Sequence, residues 1–116
     1  MENPITDKNQ DAGWPHGVAG LAELISEQAG SVVSRVLLKR KSGNVTLFAF
    51  DVAQELSEHT APFDALIQVV EGEAEVRIDG QPHGVRVGEV ILLPAGHPHG
   101  VRAVGVMKMV LTMIRE

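Results

Sequence analysis

The 116-residue chain contains no cysteine and no tyrosine, and only 3% of its residues are aromatic. The absence of cysteine excludes disulfides, thiolate metal ligands and cysteine nucleophiles, and it is consistent with a reducing compartment. Because 44% of the residues are nevertheless hydrophobic, the core must be filled by aliphatic side chains and methionine. A chain of this length has enough apolar surface for one core, so we expect a single domain.

A basic stripe and a long apolar run are also missing. The net charge is −5, and the only basic cluster, residues 39–41, adjoins a turn at residues 42–44. Binding to a phosphate backbone requires several converging cations, so we expect no nucleic-acid partner. No stretch has the pattern of a signal peptide or the length of a membrane span, so we expect no membrane partner and a cytoplasmic protein.

The spacing of apolar residues and turns divides the chain into three parts. Residues 1–16 are polar and contain two prolines, a composition typical of a terminal arm. Residues 17–30 have apolar residues spaced as on one face of a short helix that ends at Gly30. Residues 31–116 have the pattern of β-strands, which we expect at 31–39, 44–52, 64–72, 73–79, 84–96 and 101–114.

The turns between these segments indicate how the strands pair. Asp79-Gly80 is a favoured two-residue hairpin turn, because both residues tolerate a positive φ. Many short strands separated by glycine and proline are typical of an antiparallel sandwich or barrel. The sequence therefore predicts an all-β antiparallel domain.

Residues 87–103, VGEVILLPAGHPHGVRA, resemble a motif of the small single-domain cupins. The motif positions match Gly88, Glu89, Pro94, Gly96 and His99. A second cupin motif is half present, because His59 matches its first histidine and Gly72 its closing glycine. The resemblance covers residues 45–113. It implies a cupin-type antiparallel β-barrel, also called a jelly roll or double-stranded β-helix, after the short helix.

Departures from the family pattern bear on metal binding. Ala61 and Ala65 stand where the family has its second histidine and its glutamate, so only His59 and His99 remain of four familiar ligands. His97 is the candidate for a third ligand. A divalent cation normally takes at least three protein ligands. The resemblance thus implies either one metal (Fe, Mn, Ni or Zn) held by these three histidines, or no metal, with the histidines hydrogen-bonded near a rim.

The same segments predict the lining of a barrel pocket. Side chains alternate along a strand, so His59 and Ala61 share one face, as do Ala65 and Ile67. We expect these alanines and Ile67 to form an aliphatic lining. Arg102 follows at the start of the last segment, where it would bind an anionic ligand at the mouth or form a salt bridge on the rim.

Two classes of function fit these residues. The first is a binding module that encloses a small molecule, and a divalent metal if the histidines hold one, with the reaction unassigned. The alternative that the resemblance implies is a metal-dependent enzyme, such as an oxygenase or isomerase acting on a small organic acid or sugar derivative. A metal-free enzyme with one histidine as general base is a third option. The apolar first strand, residues 31–39, predicts a homodimer in each case, because it would expose apolar surface in a monomer.

Overall fold

The computed structural model describes residues 17–115, so the predicted arm, residues 1–16, lies outside the described residues. The described chain forms one 3-10 helix, Leu21–Leu24, and nine strands: β1 Val32–Arg40, β2 Gly43–Phe50, β3 Glu55–His59, β4 Asp64–Glu71, β5 Glu73–Ile78, β6 Gln81–Arg86, β7 Val90–Leu93, β8 His99–Ala103 and β9 Met107–Ile114. The all-β prediction is confirmed. Within residues 17–115, no helix has the length and apolar character needed to cross a membrane.

The strands form two antiparallel sheets that pack face to face. The five-stranded sheet has the order β1-β2-β9-β4-β7, and the four-stranded sheet has the order β3-β8-β5-β6. Alternate residues of each strand point into the space between the sheets. The resulting core is mainly aliphatic, as expected, and its buried residues are Phe50, Ala65, Ile67, Val69, Ala74, Val76, Val85, Leu93, Val101, Ala103, Met107 and Met109.

A second buried cluster lies on the outer face of the five-stranded sheet. Leu47 and Ala49 alternate along β2 with residues of the central core, and both are completely buried. Ile25, which is 7% exposed, packs in this cluster with Leu37 of β1 and Val110 of β9. The segment before β1 therefore covers one part of the outer sheet surface.

The helix predicted over residues 17–30 is present only as the 3-10 helix Leu21–Leu24. The next residue, Ile25, is already extended, with φ −149° and ψ 149°. Two carbonyl groups of the segment accept hydrogen bonds from side chains of the sheet, one from Lys108 Nζ at 2.7 Å and one from Arg35 Nη1 at 2.8 Å. These contacts replace the hydrogen bonds of a longer helix, so tertiary packing overrides the helical periodicity.

The strand boundaries correct the predicted segments in two ways. Segments 84–96 and 101–114 each contain parts of two strands rather than one. Strand β3 was not predicted, because Leu56 is its only half-buried residue and no apolar alternation marks it. The turn at Asp79-Gly80 is confirmed, since both residues have positive φ, 52° and 78°, and they connect β5 to β6.

Candidate functional site

His59 and His99 lie opposite one another on strands β3 and β8. Residues in register on antiparallel strands place their side chains on the same face of the sheet. His99 alternates with Val101 and Ala103, which belong to the central core, so both rings are on the inner face. The ring centroids are 4.5 Å apart, and the ring planes make an angle of 68°. The structure thus brings together the two histidines that the motifs indicated.

A bulge in β3 turns His59 to this inner face. The register shifts between Leu56 and His59, so that residues 57 and 58 together oppose the single residue Gly100. Along an unbroken strand, Leu56 and His59 would point to opposite faces, whereas the extra residue brings both to the inner face. A Cβ atom on Gly100 would lie 3.3 Å from the Leu56 carbonyl oxygen and 3.4 Å from the Glu58 nitrogen. The absent side chain therefore leaves room for the bulge.

The backbone holds both rings in the same way. Nδ1 of His59 lies 3.1 Å from the carbonyl oxygen of Ser57, and Nδ1 of His99 lies 3.2 Å from that of His97. A carbonyl oxygen can only accept, so each Nδ1 carries the proton and donates it. In a neutral ring, Nε2 is then an acceptor. No residue in the range 17–115 forms a hydrogen bond with either Nε2 atom, so both remain available to a ligand.

The environment of His99 favours its neutral form. The pKa of His99 is lowered below its ordinary value of 6.5, and burial of the ring is the main cause. The hydrogen bond to the His97 carbonyl raises the pKa in part, whereas the charge of nearby His59 lowers it further. His99 is 7% exposed, whereas His59 is exposed at the rim. At neutral pH the buried ring therefore offers Nε2 as a hydrogen-bond acceptor, a base or a metal ligand.

His97, the third histidine of the expected metal-binding set, lies apart from this pair and contacts Asp79. Its Nδ1 atom lies 2.7 Å from Oδ2 of Asp79, in the hairpin between β5 and β6, and both side chains are 50% exposed. Among residues 17–115, no three His, Asp or Glu side chains are arranged to hold a metal ion. Two imidazoles fall short of the three or four protein ligands of a resident catalytic metal. The donor set therefore does not fit a metal centre built by these residues alone.

The residues expected to line a pocket have different environments. Ala65 and Ile67 are on the inner face of β4, as their alternation predicted, but at 9% and 0% exposure they belong to the packed core. Ala61 lies between β3 and β4 and is half-buried. Its carbonyl accepts a hydrogen bond from the Gly96 amide at 2.8 Å, which links the two segments that carry the histidines.

Arg102 lies on the outer face of the four-stranded sheet, away from His99, and not at the expected mouth. The two residues are three positions apart on β8, and an odd separation along a strand puts side chains on opposite faces. Arg102 is in register with Glu55 of β3 and Glu75 of β5. With Arg77, these residues line a shallow outer cleft of about 550 Å³.

Two residues beside the histidine pair were not identified from the sequence. Ile78 of β5 is in register with His99 and packs against the core, so it places an aliphatic side chain next to the buried ring. Ile78 alternates with the buried Val76 along β5, and this period of two residues could have indicated from the sequence that Ile78 faces inwards. Ser57 holds His59 through its carbonyl oxygen, and no sequence signal for this role exists, because any residue has a carbonyl group.

Comparison with known proteins agrees with this architecture. A family model described as a cupin domain matches residues 46–115, a range that contains both His59 and His99. A conserved protein of unknown function from Streptococcus pyogenes has a similar solved structure, with 31% identity, a TM-score of 0.84, and coverage of 89% of this chain and 90% of that chain. A cupin superfamily protein from Desulfitobacterium hafniense shows 25% identity and a TM-score of 0.83, with coverage of 88% of this chain and 94% of that chain. An RmlC-like cupin from Desulfovibrio desulfuricans shows 30% identity, a TM-score of 0.75 and coverage of 84% and 95%. No protein with a curated description matches this chain.

Proposed function

Because this chain belongs to the cupin family, we propose that it binds a small organic molecule inside the barrel, beside His59 and His99. The observation that supports this proposal is the shared anchoring of the two rings, in which each Nδ1 donates to a backbone carbonyl and each Nε2 is left as an acceptor. A ligand with an O–H or N–H group would donate to these nitrogen atoms.

The surroundings of the pair indicate the rest of the ligand. Leu56 and Ile78 are half-buried aliphatic residues on the inner face of β3 and β5. A ligand seated between them would bury an apolar part while its polar group reached the imidazoles, as in most small-molecule sites. We therefore propose a small, partly apolar molecule with a hydrogen-bond donor, and we assign no reaction to it.

A thermal-shift screen of small organic acids, alcohols and sugar derivatives tests this proposal. A ligand at about 100 times its Kd stabilises the native state by about 2.7 kcal/mol, which shifts the melting midpoint by several degrees. We expect hits to stabilise the wild type but not His59→Gln or His99→Gln. His83→Gln is the matched control, because His83 is exposed on β6. Hits that stabilise the wild type and both site variants equally would contradict a site at the histidine pair.

A divalent metal (Fe, Mn, Ni or Zn) is the second candidate for the same two nitrogen atoms. Histidines that bind metals usually donate their other ring N–H to a carbonyl or carboxylate, as both rings do here. Since His97 is engaged by Asp79, the bound small molecule would have to supply the remaining ligands. The alternative of a metal-dependent oxygenase or isomerase depends on such a ternary complex.

Metal analysis distinguishes the two candidates. We expect wild-type protein purified without chelators and then desalted to retain less than one equivalent of metal, because two imidazoles hold a cation weakly. Stoichiometric metal that is lost in both His59→Gln and His99→Gln, but kept in His83→Gln, would favour the metal candidate and overturn the metal-free site.

A further inference from the structure

The outer face of the four-stranded sheet carries the cleft of about 550 Å³, on the opposite side of the sheet from the histidine pair. Gly100 of β8 forms part of its floor, and this buried residue has no side chain to fill the space above it. It faces the bulge of β3 on one side and Arg77 of β5 on the other. A hollow of this volume is large enough for a small organic molecule.

Charged side chains of both signs surround this hollow. The five that line the cleft are Glu55 and Glu58 of β3, Glu75 and Arg77 of β5, and Arg102 of β8. Glu75 and Arg77 form an ion pair with one another, because Nε of Arg77 lies 3.1 Å from Oε1 of Glu75. Three charged groups are therefore left for a ligand, namely the guanidinium of Arg102 and the carboxylates of Glu55 and Glu58.

Arg102 lacks the ion pair that its position would allow. It stands directly opposite Glu55 on the neighbouring strand, and opposite charges in this arrangement usually stabilise a sheet by pairing. Within the described range, 17–115, however, neither residue forms a salt bridge or a side-chain hydrogen bond, and the same is true of Glu58. A ligand can therefore bind these three groups without breaking an ion pair within the described chain.

We propose that this cleft binds a free basic amino acid, such as lysine or arginine. One guanidinium and two carboxylates give the three groups a net charge of −1. A basic amino acid complements them group by group, because it carries one carboxylate and two cationic groups. Its carboxylate would form paired hydrogen bonds with Arg102, and its two cations would face Glu55 and Glu58. This site is separate from the one proposed between the sheets and does not depend on it.

The same charges rank other small ligands. A neutral amino acid leaves one carboxylate of the cleft without a partner, and an acidic amino acid brings a second carboxylate towards Glu55 or Glu58. An amine without a carboxylate leaves Arg102 without a partner. The aliphatic part of lysine or arginine would lie across Gly100, where no side chain intervenes. We therefore expect affinity to decrease in the order basic, neutral, acidic.

The cleft also adjoins the bulge that turns His59 inwards. Glu58 is one of the two bulge residues opposite Gly100, and His59 follows it directly in the chain. A ligand that joined Glu58 to Arg102 would connect the edge strand β3 to β8 at this bulge. Binding should therefore be detected at the imidazole of His59, although that ring lies on the other face of the sheet.

An NMR titration of the full-length, isotope-labelled protein at low salt tests the proposal. We expect arginine and lysine to shift the amide signals of Gly100 and Arg102 and the imidazole signals of His59. Both should bind about tenfold more tightly than norleucine, which lacks the side-chain cation. Arginine amide lacks the carboxylate and Nα-acetylarginine lacks the α-ammonium group, so each should bind about tenfold more weakly than arginine.

Two variants and a matched control assign the binding to the cleft. Arg102→Gln should weaken arginine binding about tenfold. Arg86→Gln should not change it, because Arg86 is exposed on the same face of the sheet but does not line the cleft. Glu58→Lys leaves two cations and one carboxylate without a partner, so this variant should prefer glutamate to arginine.

Three results would overturn the proposal. The first is that neither arginine nor lysine binds the wild type at about 10 mM. The second is that arginine and norleucine bind with equal affinity. The third is that Arg102→Gln and Glu58→Lys bind arginine as the wild type does, which would place the ligand outside the cleft.

Discussion

Ile25→Ala tests how firmly the segment before β1 is attached to the sheet. Ile25 is 7% exposed and packs against Leu47, Ala49 and Val110. Replacement of a buried isoleucine by alanine costs about 2–5 kcal/mol, depending on how far the cavity collapses. Ile25 packs against the sheet from a short segment that can readjust, so we expect the lower part of this range, about 2–3 kcal/mol.

Urea unfolding followed by circular dichroism measures this cost. We expect a lower transition midpoint at an unchanged m-value, and a fall in melting temperature of about 8–12 °C for a domain of this size. Val18→Ala is the control, because Val18 is 96% exposed and its truncation should have no effect. A loss below about 0.5 kcal/mol in Ile25→Ala would refute the idea that packing holds the segment, and would leave the hydrogen bonds from Lys108 and Arg35 as its attachment.

Three further predictions concern the histidine pair and its neighbours. Gly100→Ala should destabilise the protein by about 1–3 kcal/mol, because the new Cβ atom crowds the bulge in β3. The same substitution should shift the imidazole NMR signals of His59. Gly84→Ala is the control and should have neither effect, since its Cβ atom would lie at an ordinary contact distance of 3.5 Å from Glu73 Oε2. Since the pKa of His99 is lowered in the folded state, the unfolded chain binds its proton more readily. The contribution of His99 to stability should therefore be complete above about pH 6.5 and decrease as the pH falls towards the folded-state pKa. A urea midpoint with the same pH dependence in wild type and His99→Gln would contradict this. Asp79→Asn should cost less than about 1 kcal/mol, because its hydrogen bond to His97 joins two half-exposed side chains. It should leave ligand affinity unchanged, and a large loss of affinity would show that His97 contributes to the site.

The fold followed from local patterns in the sequence. Strand alternation predicts which residues of β4 are buried, and the structure buries Ala65, Ile67 and Val69. The hairpin at Asp79-Gly80 depends on the φ preferences of two residues alone. Strand β3 was not predicted, because it lies at an edge of its sheet and Leu56 is its only half-buried side chain. The apolar spacing of residues 17–30 predicted a longer helix than the structure contains, because these apolar residues pack on the sheet without forming one.

The candidate site, like the fold, could be predicted from the sequence only in part. The motif residues identified His59 and His99. The prediction that Arg102 lies at the mouth overlooked its odd separation from His99 along β8, which places the two side chains on opposite faces. That His59 faces inwards depends on the bulge opposite Gly100, which no period in the sequence of β3 reveals. That His97 turns away depends on Asp79, a residue of another hairpin.

The sequence by itself therefore determined the fold class, the composition of the core and the identity of the two histidines, because these depend on residue type and on a two-residue period. Tertiary structure alone decided which face His59 occupies, which partner His97 has, and which part of the outer sheet the segment before β1 covers. The physical reason is that register, bulges and surface coverage are set by neighbouring strands distant in the chain, and a shift of one residue reverses the face that a side chain occupies.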